Sequence, residues 1–124
     1  MTIAHMLPFP PLTRYSSGQS YQGDFALDDI QGFSTVATFT TGFETGFDGW
    51  ATGTTGRLPF VLGTGSTPST ATGPGNAAAG SGYVFVEASG PNRNKVFDLE
   101  KTVPAGHELG GISFQYHMYG KDIR

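Results

Sequence analysis

Four carboxylates stand where they could act together. Glu44 and Asp48 lie four residues apart in the run Phe43-Glu-Thr-Gly-Phe-Asp-Gly-Trp50, and Asp28 and Asp29 are adjacent. Hard cations such as Ca²⁺ take several oxygen ligands, which carboxylates and the carbonyls of a glycine-rich turn supply. The same side chains have a plainer use. Glu44 and Asp48 can accept hydrogen bonds from turn amides, and the aspartate pair can simply end a strand. Neighbours on a strand face opposite ways, so only one of Asp28 and Asp29 reaches a given site.

Other chemistry finds less support. His107 and His117 are ten positions apart without an acidic partner at metal-ligand spacing, and His5 stands alone. His117 reads as an ordinary surface or hydrogen-bonded histidine. The glycine-rich stretch 63–82 lacks the Gly-Lys-Ser/Thr ending of a phosphate loop. No Gly-x-Ser-x-Gly elbow occurs. Glu87 and Asp98 are of the residue types of a glycosidase pair, but both read as members of solvated faces. The expectation is a chain that is not an enzyme.

Composition narrows the rest. The 124 residues suffice for one small domain. A formal net charge of −3, with the seven Lys and Arg scattered from Arg14 to Arg124, argues against nucleic acid. Cysteine is absent, which removes disulfides, thiolate metal sites and a Cys nucleophile. No signal peptide is readable over Met1–Arg14, where Pro8, Pro10 and Pro11 interrupt any apolar stretch. No run approaches a membrane-spanning length, so direct membrane insertion is not expected. The polypeptide reads as soluble, or as a fragment of something longer.

The elements that would position these side chains are strands. Residues 1–14 read as a disordered lead held extended by Pro8-Phe-Pro-Pro11. Phe25-Ala-Leu-Asp-Asp-Ile30 reads as a strand, Leu58–Leu62 as one weakened by Pro59, and 63–82 as a long surface loop with little to bury. Tyr83–Ala88 and Lys95–Thr102 are further strands, with Pro104-Ala-Gly106 a turn. Ile112, Phe114, Tyr116 and Met118 alternate with Ser113, Gln115, His117 and Tyr119, the period of a half-buried strand. No helix is expected, and about six strands make an all-β inventory. Trp50, Tyr83, Phe85 and the aromatics of 112–120 read as core rather than as a sugar-stacking platform.

The order of these motifs resembles a known family. Phe43–Trp50 is followed by Thr72-Gly-Pro-Gly-Asn76, Gly80-Ser-Gly-Tyr-Val-Phe-Val-Glu-Ala-Ser89 and Ile112-Ser-Phe-Gln-Tyr-His-Met-Tyr-Gly120. That series is similar to the front of a MAM domain, the module of meprins, neuropilins and receptor tyrosine phosphatases. The resemblance implies a jelly-roll-like antiparallel β-sandwich, concanavalin-like and truncated. Two cysteines common in the family are replaced by Thr41 and Gly111. The phrase Tyr21-Gln-Gly-Asp-Phe-Ala-Leu-Asp-Asp-Ile30 resembles the family's closing strand, although here it precedes the opening motif. Residues 15–33 then either close a preceding module of a tandem array, with 34–124 (the likeness from about 39) the front of the next, or fold back as a permuted last strand. The resemblance also implies a metal ion, possible Ca²⁺, held by Glu44 and Asp48 with Asp29 or Asp28.

The function implied is non-catalytic recognition or adhesion through protein partners or self-association. The setting implied is extracellular or cell-surface, for a larger surface or secreted, membrane-associated parent. The alternatives are a glycan-binding jelly-roll accessory module of a secreted or surface enzyme, and a truncated reading frame without a function of its own.

Overall fold

The structure is a computed structural model that describes residues 2–6, 13–16, 22–34, 38–54, 56–102 and 109–122. Its ten described strands are β1 (Thr2–Met6), β2 (Thr13–Ser16), β3 (Phe25–Ser34), β4 (Thr38–Thr41), β5 (Ala51–Thr52), β6 (Leu58–Pro59), β7 (Val61–Thr64), β8 (Gly82–Phe85), β9 (Val96–Glu100) and β10 (Leu109–Met118). They form a six-stranded sheet in the order β1-β10-β3-β8-β7, with β4 also on β3, and a four-stranded sheet, β2-β9-β5, with β6 on β9. Pairing is antiparallel except between β6 and β9. The expected all-β sandwich is the observed fold.

β3 organises the larger sheet. One edge takes β10, from Met118↔Phe25 to Leu109↔Ser34. The other is shared: β8 pairs at Ala26 and Leu27, and β4 pairs from Ile30 to Phe33. Between these two partners sit Asp28 and Asp29. Asp29 has φ 48°, and the β10 register slips there by one residue. An extra residue in left-handed conformation makes a β-bulge, which bends the strand and re-aims its side chains. β3 is therefore central to the sheet, paired with β4, β8 and β10 rather than with Phe43–Trp50 itself.

The core follows from the alternation. Leu27, Ile30, Val84, Val86 and Phe114 of the large sheet meet Phe97 and Leu99 of the small one, with Phe43, Trp50 and Phe60 between. Fully burying such side chains stabilises the fold by about 1.5–3 kcal/mol each, so apolar closure outweighs any single polar contact. Ile112, Phe114 and Tyr116 contact this core as the period of two predicts. Met118 is 48% exposed, because its register partner Phe25 begins β3 and the sheet face ends there. Gly32 lies beneath the Phe39 ring, where a Cβ would come within 2.1 Å of it. Phe39 in turn stands edge-on to Trp50 at 5.9 Å.

Two expectations need correction. Residues 1–14 are not a disordered lead throughout, since Thr2–Met6 pairs with β10 and Thr13–Ser16 runs from the end of that segment along β9. Edge strands of this kind form wherever a neighbour offers unpaired backbone groups, whatever the local composition. The Pro8–Pro11 stretch and the 104–106 turn lie outside the described residues. The described strands also outnumber the six expected, because β1, β2, β4 and β5 add to those named and Leu58–Leu62 divides at Phe60 into β6 on one sheet and β7 on the other. The only helical element among the described residues is a 3₁₀ turn at Gly90–Asn92, and no helix there is long and apolar enough to cross a membrane.

Candidate functional site: carboxylates that fasten loops to the sheets

The opening motif meets the Gly80–Ser89 motif through one side chain. Glu44 accepts bonds from the Ser81 amide at 3.0 and 3.1 Å, the Ser81 hydroxyl at 2.9 Å and the Gly82 amide at 3.0 Å. The Gly82 amide, the Ser81 hydroxyl and the Ser81 amide together hold its carboxyl below the usual range. Glycine is required on the facing segment. A Cβ at Gly82 would lie 2.3 Å from the Phe43 carbonyl oxygen, and Gly80 has φ +62°.

Asp48 closes the other end of its motif. Thr41, buried at the end of β4, donates its hydroxyl to Asp48 Oδ2 and accepts the Phe43 amide at 3.1 Å. Thr45 donates to Asp48 Oδ1 at 3.1 Å, and Lys101 Nζ reaches the Asp48 carbonyl at 3.0 Å. These bonds support the left-handed backbone of Phe43 (φ 54°) and Asp48 (φ 49°). Where the resemblance places a cysteine, Thr41 pins the turn by hydrogen bonds.

The aspartate pair divides as neighbours on a strand must. Asp28 is fully buried on the outward face of β3. Its Oδ2 accepts the Ala78 and Ala79 amides at 2.8 and 3.1 Å, and its Oδ1 accepts the Asp29 amide at 2.7 Å. Burial pushes its carboxyl up, against the lowering effect of those bonds. Asp29 sits half-buried in the bulge. Ala77 packs beside Ala26, Tyr83 and Phe85, and the Tyr83 hydroxyl donates to the Gly65 carbonyl at 2.9 Å. Stretch 63–82, expected as a surface loop, thus lies down on the outer face of the larger sheet. Thr67 and Thr72 within it are buried, joined by a 3.1 Å bond from the Thr67 hydroxyl to the Thr72 carbonyl.

Asp98 repeats the device on the smaller sheet, where a solvated face was expected. Its side chain is fully buried, because the turn after β5 folds over the outward face of β9. It accepts the Gly53 amide at 2.7 Å, the Thr54 amide at 3.1 Å and the Thr54 hydroxyl, and Arg57 Nη1 stands 3.5 Å away. Burial alone would raise its carboxyl. The bonds from Thr54, Gly53 and Arg57 outweigh that and hold it below the usual range. Glu87 is half-buried and accepts the Ser89 amide at 3.0 Å.

Among the described residues, no three or more His, Asp or Glu side chains gather as a metal would need. Glu44, Asp48, Asp28 and Asp29 are spread over the clasp, the turn and the bulge, and the first three already accept N–H or O–H protons. As arranged they do not fit a shared Ca²⁺, which needs oxygens converging with free lone pairs. His117 faces outward edge-on to Tyr119 at 6.3 Å. Its Nδ1 is buried without a hydrogen-bond partner among the described residues, and burial lowers its pKa. His107 lies outside the described residues. Trp50, Tyr83, Phe85 and Phe114 are buried, so none presents its ring to a sugar.

Sequence reasoning missed Asp24. It is fully buried at the head of β3, with Oδ1 accepting the Ala88 amide at 3.1 Å and Oδ2 without a hydrogen-bond partner among the described residues. An aspartate directly after Gly23 and ahead of an apolar run is the only signal that could have pointed to it. No protein-family model matches this chain, and no solved structure matches it.

Proposed function

We propose that this chain is a non-catalytic recognition module of the MAM-like, jelly-roll type, working outside the cell as part of a larger surface or secreted protein. Its partner in this reading is protein, including a second copy of itself. One observation carries the proposal. β7 ends the larger sheet, and among the described residues no strand pairs with its outer edge. Val61 and Leu62, successive residues on opposite faces of that strand, are each 40% exposed. An edge of this kind offers unpaired amides and carbonyls flanked by apolar side chains, the combination by which an incoming strand extends a sheet. The clasp between Glu44 and Gly80–Gly82 supports the family likeness, since it joins the two segments on which that likeness chiefly rests.

Sedimentation over a concentration series tests the reading. The expected result is saturable self-association, or saturable capture of a protein ligand, lost when Val61→Lys and Leu62→Lys are combined with Trp50 emission unchanged. Equal behaviour of the wild type and the double variant would contradict it. The glycan alternative draws no support from the buried aromatics.

A further inference from the structure

Asp24 joins three segments that are remote in sequence. Its amide donates to Thr72 Oγ1 at 3.1 Å, and that hydroxyl donates onward to the Tyr119 carbonyl at 3.0 Å. The Gly73 amide reaches the same carbonyl at 3.3 Å. Its side chain holds the segment after β8 through the Ala88 amide. The crossing is tight: a Cβ at Gly120 would fall 2.0 Å from the Gln22 carbonyl oxygen.

The surroundings suit a neutral acid. Among the described residues Asp24 Oδ2 is buried with no hydrogen-bond partner, and the carboxylate accepts one backbone amide. The titratable groups that act on it or respond to it are Glu87, beside the Ala88 amide, and Tyr83 on β8, neither of which brings positive charge. From the β10 side, Asp122 approaches through its amide, which donates to the Gln22 carbonyl at 3.4 Å. On β10 itself, His117 stands opposite Ala26, and burial disfavours its charged form. An ionised carboxylate sealed among such groups loses hydration without gaining a counter-charge from the described residues.

We propose that Asp24 is a proton-operated latch: neutral, it closes the junction of the 72–73 loop, the segment after β8 and the end of β10; ionised, it loosens that junction. Burial, backed by the nearby Glu87 and against the pull of the Ala88 amide, raises its carboxyl from 3.8 to about 6. A folded-state value above the open-state value means the closed form binds the proton more tightly. Closure is then strongest in mild acid, weakens as pH rises toward the folded value, and levels off above it. Asp28, four residues along the same face, is raised too, but it grips Ala78 and Ala79 rather than Ala88.

Amide exchange across this interval, corrected for intrinsic rates, tests the latch. Protection of the Ala88 and Gly73 amides is expected to fall by up to about a hundredfold between about pH 4 and about pH 7 in the wild type. In Asp24→Asn it is expected to stay level. Level or rising wild-type protection overturns the proposal, as does an Asn variant that keeps the wild-type slope. A carboxyl-carbon titration of Asp24 in the wild-type protein is independent of how the variant folds. A midpoint of about 6 is expected, and one at the ordinary 3.8 overturns the latch.

Discussion

Glu44 holds the Ser81 amide between both of its carboxylate oxygens, at 3.0 and 3.1 Å, across 37 positions of sequence. The contact is exposed and short-sided, so its effect lies in fixing where the glycine-rich stretch re-enters the sheet. Gly82 makes the closeness possible. Gly82→Ala would drive a Cβ into the Phe43 carbonyl and should destabilise the fold by about 2–3 kcal/mol. Gly75→Ala, where a Cβ meets nothing within 4 Å, should stay within about 0.5 kcal/mol of wild type. Urea unfolding followed by Trp50 emission compares the two, and similar losses would refute the clasp geometry.

Asp98 should prove costly to remove although the sequence sets it among charged neighbours. Asp98→Ala leaves the Gly53 and Thr54 amides without their acceptor and Arg57 with Glu100, at 3.5 Å, as its remaining carboxylate, and a loss of about 3 kcal/mol is expected. Glu87→Gln, which keeps an acceptor for the Ser89 amide, should change stability by less than about 0.5 kcal/mol. Chemical denaturation of the two variants checks the contrast.

The pH profile of stability should slope opposite ways on the two sides of mild acid. Asp24 and Asp28 bind protons more tightly folded than unfolded, so their contribution grows as pH falls from neutrality toward the ordinary aspartate value of 3.8. Glu44 and Asp98 are depressed, so theirs is present above their unfolded values, 4.5 and 3.8, and disappears as pH falls through the lower folded ones. His117, whose charged form burial disfavours, acts against the aspartates below its ordinary 6.5, so two raised carboxyls against one histidine leave thermal melts to peak at about pH 4–5, between these windows. A maximum at neutral pH would show that the buried aspartates are compensated.

Calcium should leave the fold unchanged as it stands. Melting temperature at millimolar Ca²⁺ is expected to match that in chelator, because Glu44, Asp48 and Asp28 already accept protons from separate donors. A saturable rise would show that the acidic groups rearrange around a cation.

Much of the architecture was legible because it rests on a period of two. Phe25–Ile30, Tyr83–Phe85 and Ile112–Tyr116 show apolar alternation or β-branched runs, and each became a strand against the core. Trp50 was readable as core from its large apolar ring rather than from periodicity, and it is buried. The outward faces were not legible. Asp28 and Asp98 sit at polar positions of their strands, and sequence cannot tell a position facing water from one covered by a returning loop. What covers them is the backbone of Gly53 and Thr54 and of stretch 63–82, and amides carry no signature of the carboxylate they will meet. The strands β1 and β2 escaped notice because their partners, β10 and β9, lie about a hundred and about eighty residues on.

Site-resolved amide exchange at Gly53, Thr54, Ala78, Ala79, Ser81 and Gly82 tests most directly whether carboxylates fasten these loops. Composition alone would make Ala78, Ala79 and Ser81 exchange as in an unstructured peptide. The bonds to Glu44, Asp28 and Asp98 predict exchange at least about a hundredfold slower at all six, with Ser81 released by Glu44→Ala, Ala78 and Ala79 by Asp28→Ala, and Gly53 and Thr54 by Asp98→Ala. Exchange at intrinsic rates in the wild-type protein would contradict it.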